Sequence, residues 1–148
     1  MIGSRPRLAL ACSILAVLGG CGFSAGPTLR VVGAQTAQST PDGRVIEFEL
    51  VATNPTSNPL PLRGSTYTLN AAQGGSSGVS RSPEVTVPPN AQISFILPVA
   101  IPPGDSTLAY VLEGNVRYVA PGPFAQALYD NGLSRPTVAF RDEGVIEP

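Results

Sequence analysis

Two carboxylates stand two positions apart in the most regular segment of this sequence, residues 44–53. Glu47 and Glu49 lie on one face of the predicted strand, about 7 Å apart, a separation at which an acid and a base can flank a glycosidic bond. The alternation itself gives a simpler explanation, because outward positions of a half-buried strand are ordinarily polar. We therefore expect both to be surface residues, and a carboxylate-dependent hydrolase is the least supported function.

Cys21 closes a hydrophobic segment at the start of the chain. Arg5 and Arg7 precede an apolar run at residues 8–18, and no acidic residue comes before it. This is the pattern of an export signal. As a helix the run would reach about 16 Å, against the ~30 Å of a bilayer core, so we do not expect it to remain as a spanning anchor.

Four residues at the end of this run resemble a bacterial lipobox: Leu18, Gly19, Gly20 and Cys21. An ordinary secretory site has small residues at the third and first positions before the cut, whereas Leu18 fills the third position here. The resemblance implies cleavage before Cys21 and acylation of its sulfur and new amino group. Residues 1–20 would then be a lipoprotein signal peptide and 21–27 a lipidated tether. The alternative is a soluble secreted protein cut after Gly22.

This targeting hypothesis leaves little other chemistry to the chain. There is no histidine, Cys12 lies in the leader, and an acylated Cys21 leaves no free thiol and no disulfide. Zinc sites of the nitrogen and sulfur type, Ser-His pairs and Cys-His pairs are therefore excluded. Residues 130–132 lack the spaced oxygen ligands of a calcium loop and predict a turn. We predict no catalytic residue, no metal and no cofactor, and hence no enzyme.

The charge of the mature chain limits its partners. Beyond residue 20 there are seven arginines and ten acidic residues, and the arginines are scattered. A nucleic-acid partner is excluded, because it calls for a clustered basic face. We expect a monomer at the bacterial cell envelope, held to a membrane by its lipid, with an unidentified envelope protein or lipid as partner. Gly22 replaces the Asp that marks inner-membrane retention in some bacteria, which weakly favours the outer membrane.

Alternating apolar segments predict an all-β domain, punctuated by sixteen glycines and sixteen prolines. The predicted strands cover residues 28–34, 44–53, 65–70, 84–87, 91–101, 108–118 and 136–141. One short helix is predicted at 123–129, since a proline opens it and Asn131 and Gly132 end it. About seven strands with a shared apolar face indicate a β-sandwich rather than a barrel or a solenoid.

Several local features sharpen this prediction. Pro98 lacks an amide donor, so its strand should lie at an edge or bulge there. Gly114 in mid-strand indicates a bulge, residues 71–82 read as a mobile loop with at most a weak strand at 78–81, and the acidic tail from Asp142 should be solvated. The residues expected to matter most in the core are Ile46, Phe48, Phe95 and Leu97.

Four aromatic residues follow one another closely near the end of the sequence: Tyr110, Tyr118, Phe124 and Tyr129. They could form a binding patch, but large aromatic side chains are mostly needed inside, so core packing is the expected use. The segment 54–59 could touch a partner. Its prolines and asparagines are already explained as a strand terminator.

The order of the segments carries a family resemblance. Its residues are Asn54 and Pro55 after a strand with Phe48 and Leu50, then the stretches 66–69 (TYTL), 87–90 (VPPN), 94–99 (SFILPV) and 110–114 (YVLEG). This pattern resembles the type 2 late embryogenesis abundant family, also called the water stress and hypersensitive response domain, over residues 28–145. The resemblance implies a fibronectin- or immunoglobulin-like β-sandwich with a small helix and no established catalytic residues. It also implies that bacterial members are commonly lipoproteins. The chain departs from the family in lacking room for a helix at 102–107.

Two functions follow from these expectations. The resemblance implies a non-catalytic, membrane-anchored envelope lipoprotein that protects envelope components in water stress or desiccation. The alternative is a general protein- or lipid-binding interaction module of the envelope.

Overall fold

A computed structural model describes residues 26–72, 75–104 and 107–147. The predicted lipid attachment residue Cys21, the cleavage motif Leu18, Gly19 and Gly20, and the signal peptide at 1–20 lie outside these residues. The hypothesis of a cleaved, acylated leader therefore stays a prediction from the sequence.

Within the described residues, eight strands and one helix follow one another along the chain. They are β1 (Thr28–Thr40), β2 (Gly43–Thr53), β3 (Leu60–Ala71), β4 (Gly75–Arg81), β5 (Thr86–Val87), β6 (Gln92–Ile101), β7 (Leu108–Tyr118), α1 (Ala125–Asp130) and β8 (Thr137–Ile146). The prediction of an all-β domain with one short helix is confirmed.

The strands form two antiparallel sheets that face each other. The smaller sheet has the order β1-β2-β6, and the larger has β4-β3-β7-β8 with β5 paired to β3. Phe48 of the smaller sheet meets Tyr110 of the larger edge to face, with ring centroids 5.2 Å apart. The Tyr67 hydroxyl donates a hydrogen bond of 2.8 Å to the Pro98 carbonyl across the gap. The predicted β-sandwich is confirmed.

The middle strand of the smaller sheet supplies the centre of the core. In β2 the side chains of Ile46, Phe48, Leu50 and Ala52 are fully buried. They meet a larger buried set from both sheets, which includes Leu62, Tyr67, Leu69, Phe95, Leu97, Val99, Leu112 and Val116. Burial of each large apolar side chain contributes about 1.5–3 kcal/mol before chain entropy is counted. The four predicted core residues are confirmed.

Two strands, β1 and β8, extend beyond the ends that the sequence predicts, because a neighbouring strand pairs with the added residues. The segment 35–40 has no hydrophobic period, yet it continues β1, because it pairs with the first half of β2 across the turn at Pro41 and Asp42. Likewise β8 does not end at Arg141 but pairs with β7 as far as Ile146, so Asp142 lies in a strand and not in a solvated tail.

The prediction of a mobile loop at 71–82 is wrong for residues 75–81, which form a strand, and the weak strand predicted at 78–81 lies within it. The segment contains β4, which pairs with β3 from Ser65 to Ala71 in continuous register. Its Gly and Ser residues have little intrinsic preference for strands, so the segment becomes a strand because it pairs with β3. The strand predicted at 84–87 is reduced to β5, because Glu84 has a left-handed backbone with φ of 47°.

The prediction for Pro98, in the middle of a strand, is confirmed, whereas the prediction for Gly114 is wrong. Pro98 lies in β6, the edge strand of the smaller sheet, as its missing amide donor predicts, and the register with β2 is unbroken there. The bulge predicted at Gly114 is wrong, since β7 pairs with β8 in continuous register. Glycine is present for space: an added Cβ would lie 2.6 Å from the Thr66 carbonyl oxygen and 2.6 Å from the Tyr67 Cβ.

We expect Gly114→Ala to lower the free energy of unfolding by about 1–3 kcal/mol, because backbone and core atoms would have to shift. Urea unfolding followed by circular dichroism measures this. Gly78→Ala in β4 is the matched control, since its Cβ would meet only the Thr68 hydroxyl at 4.0 Å. Equal stability of the two variants would contradict the close approach at Gly114.

Candidate functional site

The predicted carboxylate pair lies on the outer face of the smaller sheet. Glu47 stands opposite Pro98 in β6, and Glu49 stands opposite Ile96, whose side chain is exposed. Glu49 is exposed and Glu47 is half-buried. Both carboxylates therefore lie on an outward sheet face, as predicted for surface residues, and neither lines any of the three cavities described for this chain.

Asn54 performs a larger structural task than ending a strand. Its side chain is buried, with 1 % exposed. The amide nitrogen donates to the carbonyls of Asn58 (2.7 Å), Pro88 (3.0 Å) and Val87 (3.2 Å). The amide oxygen accepts from the backbone nitrogen and the hydroxyl of Thr56 at 2.9 and 2.8 Å. One side chain thus joins the segment 54–59 to the β5–β6 connection, and it is not available to a partner.

We expect Asn54→Ala to lower the free energy of unfolding by about 2–4 kcal/mol, since buried carbonyls lose their donors. Asn54→Asp keeps the shape but turns an oxygen toward those carbonyls, so it should be at least as destabilising. Asn58→Ala is the matched control, because that side chain is exposed. Thermal or urea unfolding checks the ranking, and an unaltered Asn54→Ala variant would contradict it.

The four aromatic residues do not form one patch. Tyr110 is buried in the core, as predicted, and Tyr118 and Tyr129 are half-buried. Phe124 is 73 % exposed and Tyr129 does not pack against the core cluster, so the prediction of core packing is wrong for these two residues. It precedes α1, a helix of six residues none of which is buried. Beyond the helix Asn131 and Gly132 form the predicted turn, with Gly132 at a φ of 71°.

A buried phenol and a carboxylate meet between β7 and β8. The Tyr110 hydroxyl donates a 2.8 Å hydrogen bond to Asp142 Oδ2. Burial raises the pKa of the Tyr110 phenol far above its ordinary value, and the bond to Asp142 raises it further. Burial also raises the pKa of Tyr67, partly offset by the positive charge of Arg81. Both phenols therefore stay protonated in the folded protein when unfolded tyrosines already ionise.

Because the phenol pKa is higher in the folded than in the unfolded protein, the phenol contributes its full stabilisation below the unfolded pKa. This contribution to the free energy of unfolding is lost as the pH rises toward the folded pKa. We expect the free energy of unfolding to fall as the pH rises above about 10, the pKa of an unfolded tyrosine. Tyr110→Phe should cost about 1 kcal/mol at neutral pH and should flatten the alkaline loss. Urea unfolding at several pH values measures both effects, with Tyr129→Phe as control. An alkaline slope in Tyr110→Phe equal to that of the wild type would contradict this assignment.

The outer face of the larger sheet forms a shallow groove of about 890 Å³. Its polar lining comes from Thr66, Thr68, Ser80, Asn115, Glu113 and Arg141. Arg141 Nη1 lies 3.1 Å from Glu113 Oε2, but both side chains are more than half exposed, so the pair adds little stability. The groove offers hydroxyl and amide groups for hydrogen bonding, whereas the hydroxyl of Tyr67, which also lines it, is bonded to the Pro98 carbonyl between the sheets.

The smaller cavity, of about 190 Å³, lies between the sheets at the end where β6 stops and β7 begins. Arg44 lines it with a side chain only 5 % exposed. Within the described ranges, Arg44 Nε and Nη1 have no hydrogen-bond partner. The guanidinium group extends toward the loop after β6, since a Cβ added at Gly104 would lie 3.8 Å from Arg44 Nη2.

Sequence reasoning missed Arg44, although a signal was present. Arg44 is two positions before Ile46, so it lies on the same face of β2 as the buried side chains. Period-two alternation places it on the inner face. A charged residue at an inward position is unusual, and that makes it the most informative polar side chain of the core.

Other kinds of site are not found in the part of the chain that the structure describes. Over residues 26–72, 75–104 and 107–147, no group of three or more Asp, Glu, Cys or His side chains is arranged to hold a metal ion. Across the same residues, no helix is both long enough and apolar enough to span a bilayer.

The two sheets, their order and the short helix define a β-sandwich, and solved proteins of similar shape are found. No family model and no curated protein matches this chain by sequence. A solved protein described as late embryogenesis abundant superposes with a TM-score of 0.64 at 16 % identity, covering 83 % of this chain and 71 % of that one. A protein from Arabidopsis thaliana gives a TM-score of 0.55 at 14 % identity, covering 81 % of this chain and 80 % of the other.

The similarity also extends outside plants. A protein from Archaeoglobus fulgidus has a TM-score of 0.53 at 14 % identity, covering 82 % of this chain and 98 % of that chain. At such identities the likeness establishes the fold alone. The chain therefore shares the sandwich of a late embryogenesis abundant protein, which is the fold that the sequence resemblance implied.

Proposed function

We propose that this protein is a non-catalytic, lipid-anchored domain of the bacterial envelope that protects envelope components in water stress. The observation that carries the proposal is the fold shared with a late embryogenesis abundant protein. The Leu18-Gly19-Gly20-Cys21 tetrad supports the anchor, and Gly22 weakly favours the outer membrane.

The position of Gly26, the first described residue, supports an orientation in which the end of the sandwich nearest Cys21 faces the membrane. Gly26 packs directly against the Tyr118 hydroxyl, so the tether leaves the sandwich where β7 ends. Helix α1 follows β7 at this same end, and three exposed apolar side chains accompany it: Phe124, Leu128 and Leu133. In a protein acylated at Cys21 these side chains would face the bilayer, which accounts for large apolar groups left in contact with water.

A non-catalytic role agrees with the chemistry of the domain. The Glu47 and Glu49 carboxylates lie on an outward sheet face, and the buried Tyr110 is bonded to the half-buried Asp142. The second candidate function is a protein- or lipid-binding module. The polar groove on the larger sheet favours it, because hydroxyl and amide side chains line an outer face that a partner can reach. We propose a monomer with no nucleic-acid partner.

The anchor is tested by the intact mass of the protein extracted from membranes. We expect the mass of the chain from Cys21 onward plus two or three acyl chains, since one chain alone gives only marginal membrane binding. Cys21→Ala should remain at the precursor mass, and Ser24→Ala is the matched control in the tether. A mature chain that starts after Gly22 without lipid would contradict the anchor.

The protective role is tested in a deletion strain exposed to drying or osmotic shock. We expect lower survival and a leakier envelope than in the parent, restored by the wild-type gene and by Ser24→Ala but not by Cys21→Ala. Unchanged survival of the deletion strain would contradict the stress role. Full rescue by Cys21→Ala would show that the lipid is not needed. Specific crosslinks to one envelope protein in unstressed cells, with no survival defect, would favour the interaction module.

A further inference from the structure

Arg44 is a buried cation without a counter-ion in the described part of the chain. Its side chain is 5 % exposed, and two of its nitrogens lack hydrogen-bond acceptors there. The ion pairs found within residues 26–72, 75–104 and 107–147 all belong to Arg141. Arginine does not lose its proton in proteins, so the charge stays in place.

A buried charge of this kind is costly unless something compensates it. Removing an ion from water costs several kcal/mol even after the protein relaxes, and buried polar atoms nearly always find partners. Arg44 is held inward by the alternation of β2, because β2 pairs on both sides and its next four inward residues are fully buried. An acceptor from outside the described chain would satisfy it.

The cavity beside Arg44 has one polar end and apolar walls. Leu69, Ile101 and Leu108 line it together with the rings of Pro102 and Pro103. Ser77 also lines it, but the Ser77 hydroxyl already donates to the Ala100 carbonyl at 3.3 Å. The cavity volume of about 190 Å³ is well above what a single water molecule needs.

We propose that this cavity binds a small monocarboxylate with a short apolar chain. The carboxylate accepts hydrogen bonds from the Arg44 guanidinium group, whose planar array of donors suits two oxygens in one plane. The apolar chain lies against Leu69, Ile101 and Leu108. A phosphate or sulfate ion fits less well, because the oxygens that face away from Arg44 would be buried against apolar side chains.

The location suits a ligand that arrives from solvent. The cavity is built where β6 ends at Ile101 and β7 begins at Leu108, the opposite end of the sandwich from Gly26 and the tether. A ligand could therefore enter whether or not the protein is acylated. The proposal is independent of the proposed stress function, and failure of one leaves the other standing.

The test is calorimetric titration of the purified full-length protein with butyrate and hexanoate, with inorganic phosphate and sulfate at matched ionic strength for comparison. We expect saturable binding of the carboxylates and weaker or no binding of the inorganic ions. Arg44→Gln should weaken carboxylate binding at least about tenfold, the loss of a hydrogen bond to a charged group. Arg30→Gln, on the exposed face of β1, is the matched control and should bind as the wild type does.

A second variant separates binding from folding. Ala71→Leu fills part of the cavity and keeps Arg44, so it should abolish carboxylate binding while its unfolding transition stays cooperative. Asp105, which lies outside the described residues, is tested as an internal counter-ion by Asp105→Asn. Absence of carboxylate binding, equal binding by Arg44→Gln, binding of inorganic ions alone, or binding that appears only in Asp105→Asn would overturn the proposal.

Discussion

The alternation of β2 between two paired neighbours is the constraint on which the rest of the structure depends. β2 is hydrogen-bonded to β1 and β6, and every second side chain from Arg44 to Ala52 is buried. A slip of one residue would turn Ile46, Phe48 and Leu50 to solvent and bring Glu47 and Glu49 inside. The burial of those apolar side chains therefore also determines where Arg44 must lie.

The buried polar side chains at the two ends of the sandwich differ in how fully they are hydrogen-bonded. At the tether end, one buried amide, Asn54, satisfies three carbonyls and receives two bonds from Thr56. At the other end the described residues leave Arg44 Nε and Nη1 without acceptors beside an apolar cavity. At the first end, the polar groups of the Asn54 side chain are bonded within the chain. The second has a charge to offer, which is what recognition of a small anion requires.

The sequence allowed prediction of those elements whose side chains alternate strongly, and not of those ordered by a partner. β2, β6 and β7 carry their own period, so the sandwich and its core could be predicted. β4 is made of Gly, Ser, Val and Arg and exists because β3 pairs with it, which local preference does not reveal. The sequence predicts a bulge at Gly114, because the close approach of Tyr67 and Phe140 to this glycine arises only in the folded structure. For the site, the alternation of β2 places Arg44 on the inner face, although the sequence analysis did not single it out. That Arg44 Nε and Nη1 lack a partner among the described residues is visible only in the structure.

The central claim is that Arg44 is held between the sheets with its guanidinium group away from water. Arginine-selective nitrogen NMR of the full-length protein tests it most directly, since the Nε proton of a buried arginine exchanges slowly with solvent. The structure predicts that the Arg44 Nε proton exchanges far more slowly than that of exposed Arg30, and that its resonance moves when hexanoate is added. Exchange of Arg44 as fast as that of Arg30, with no response to hexanoate, would contradict the account.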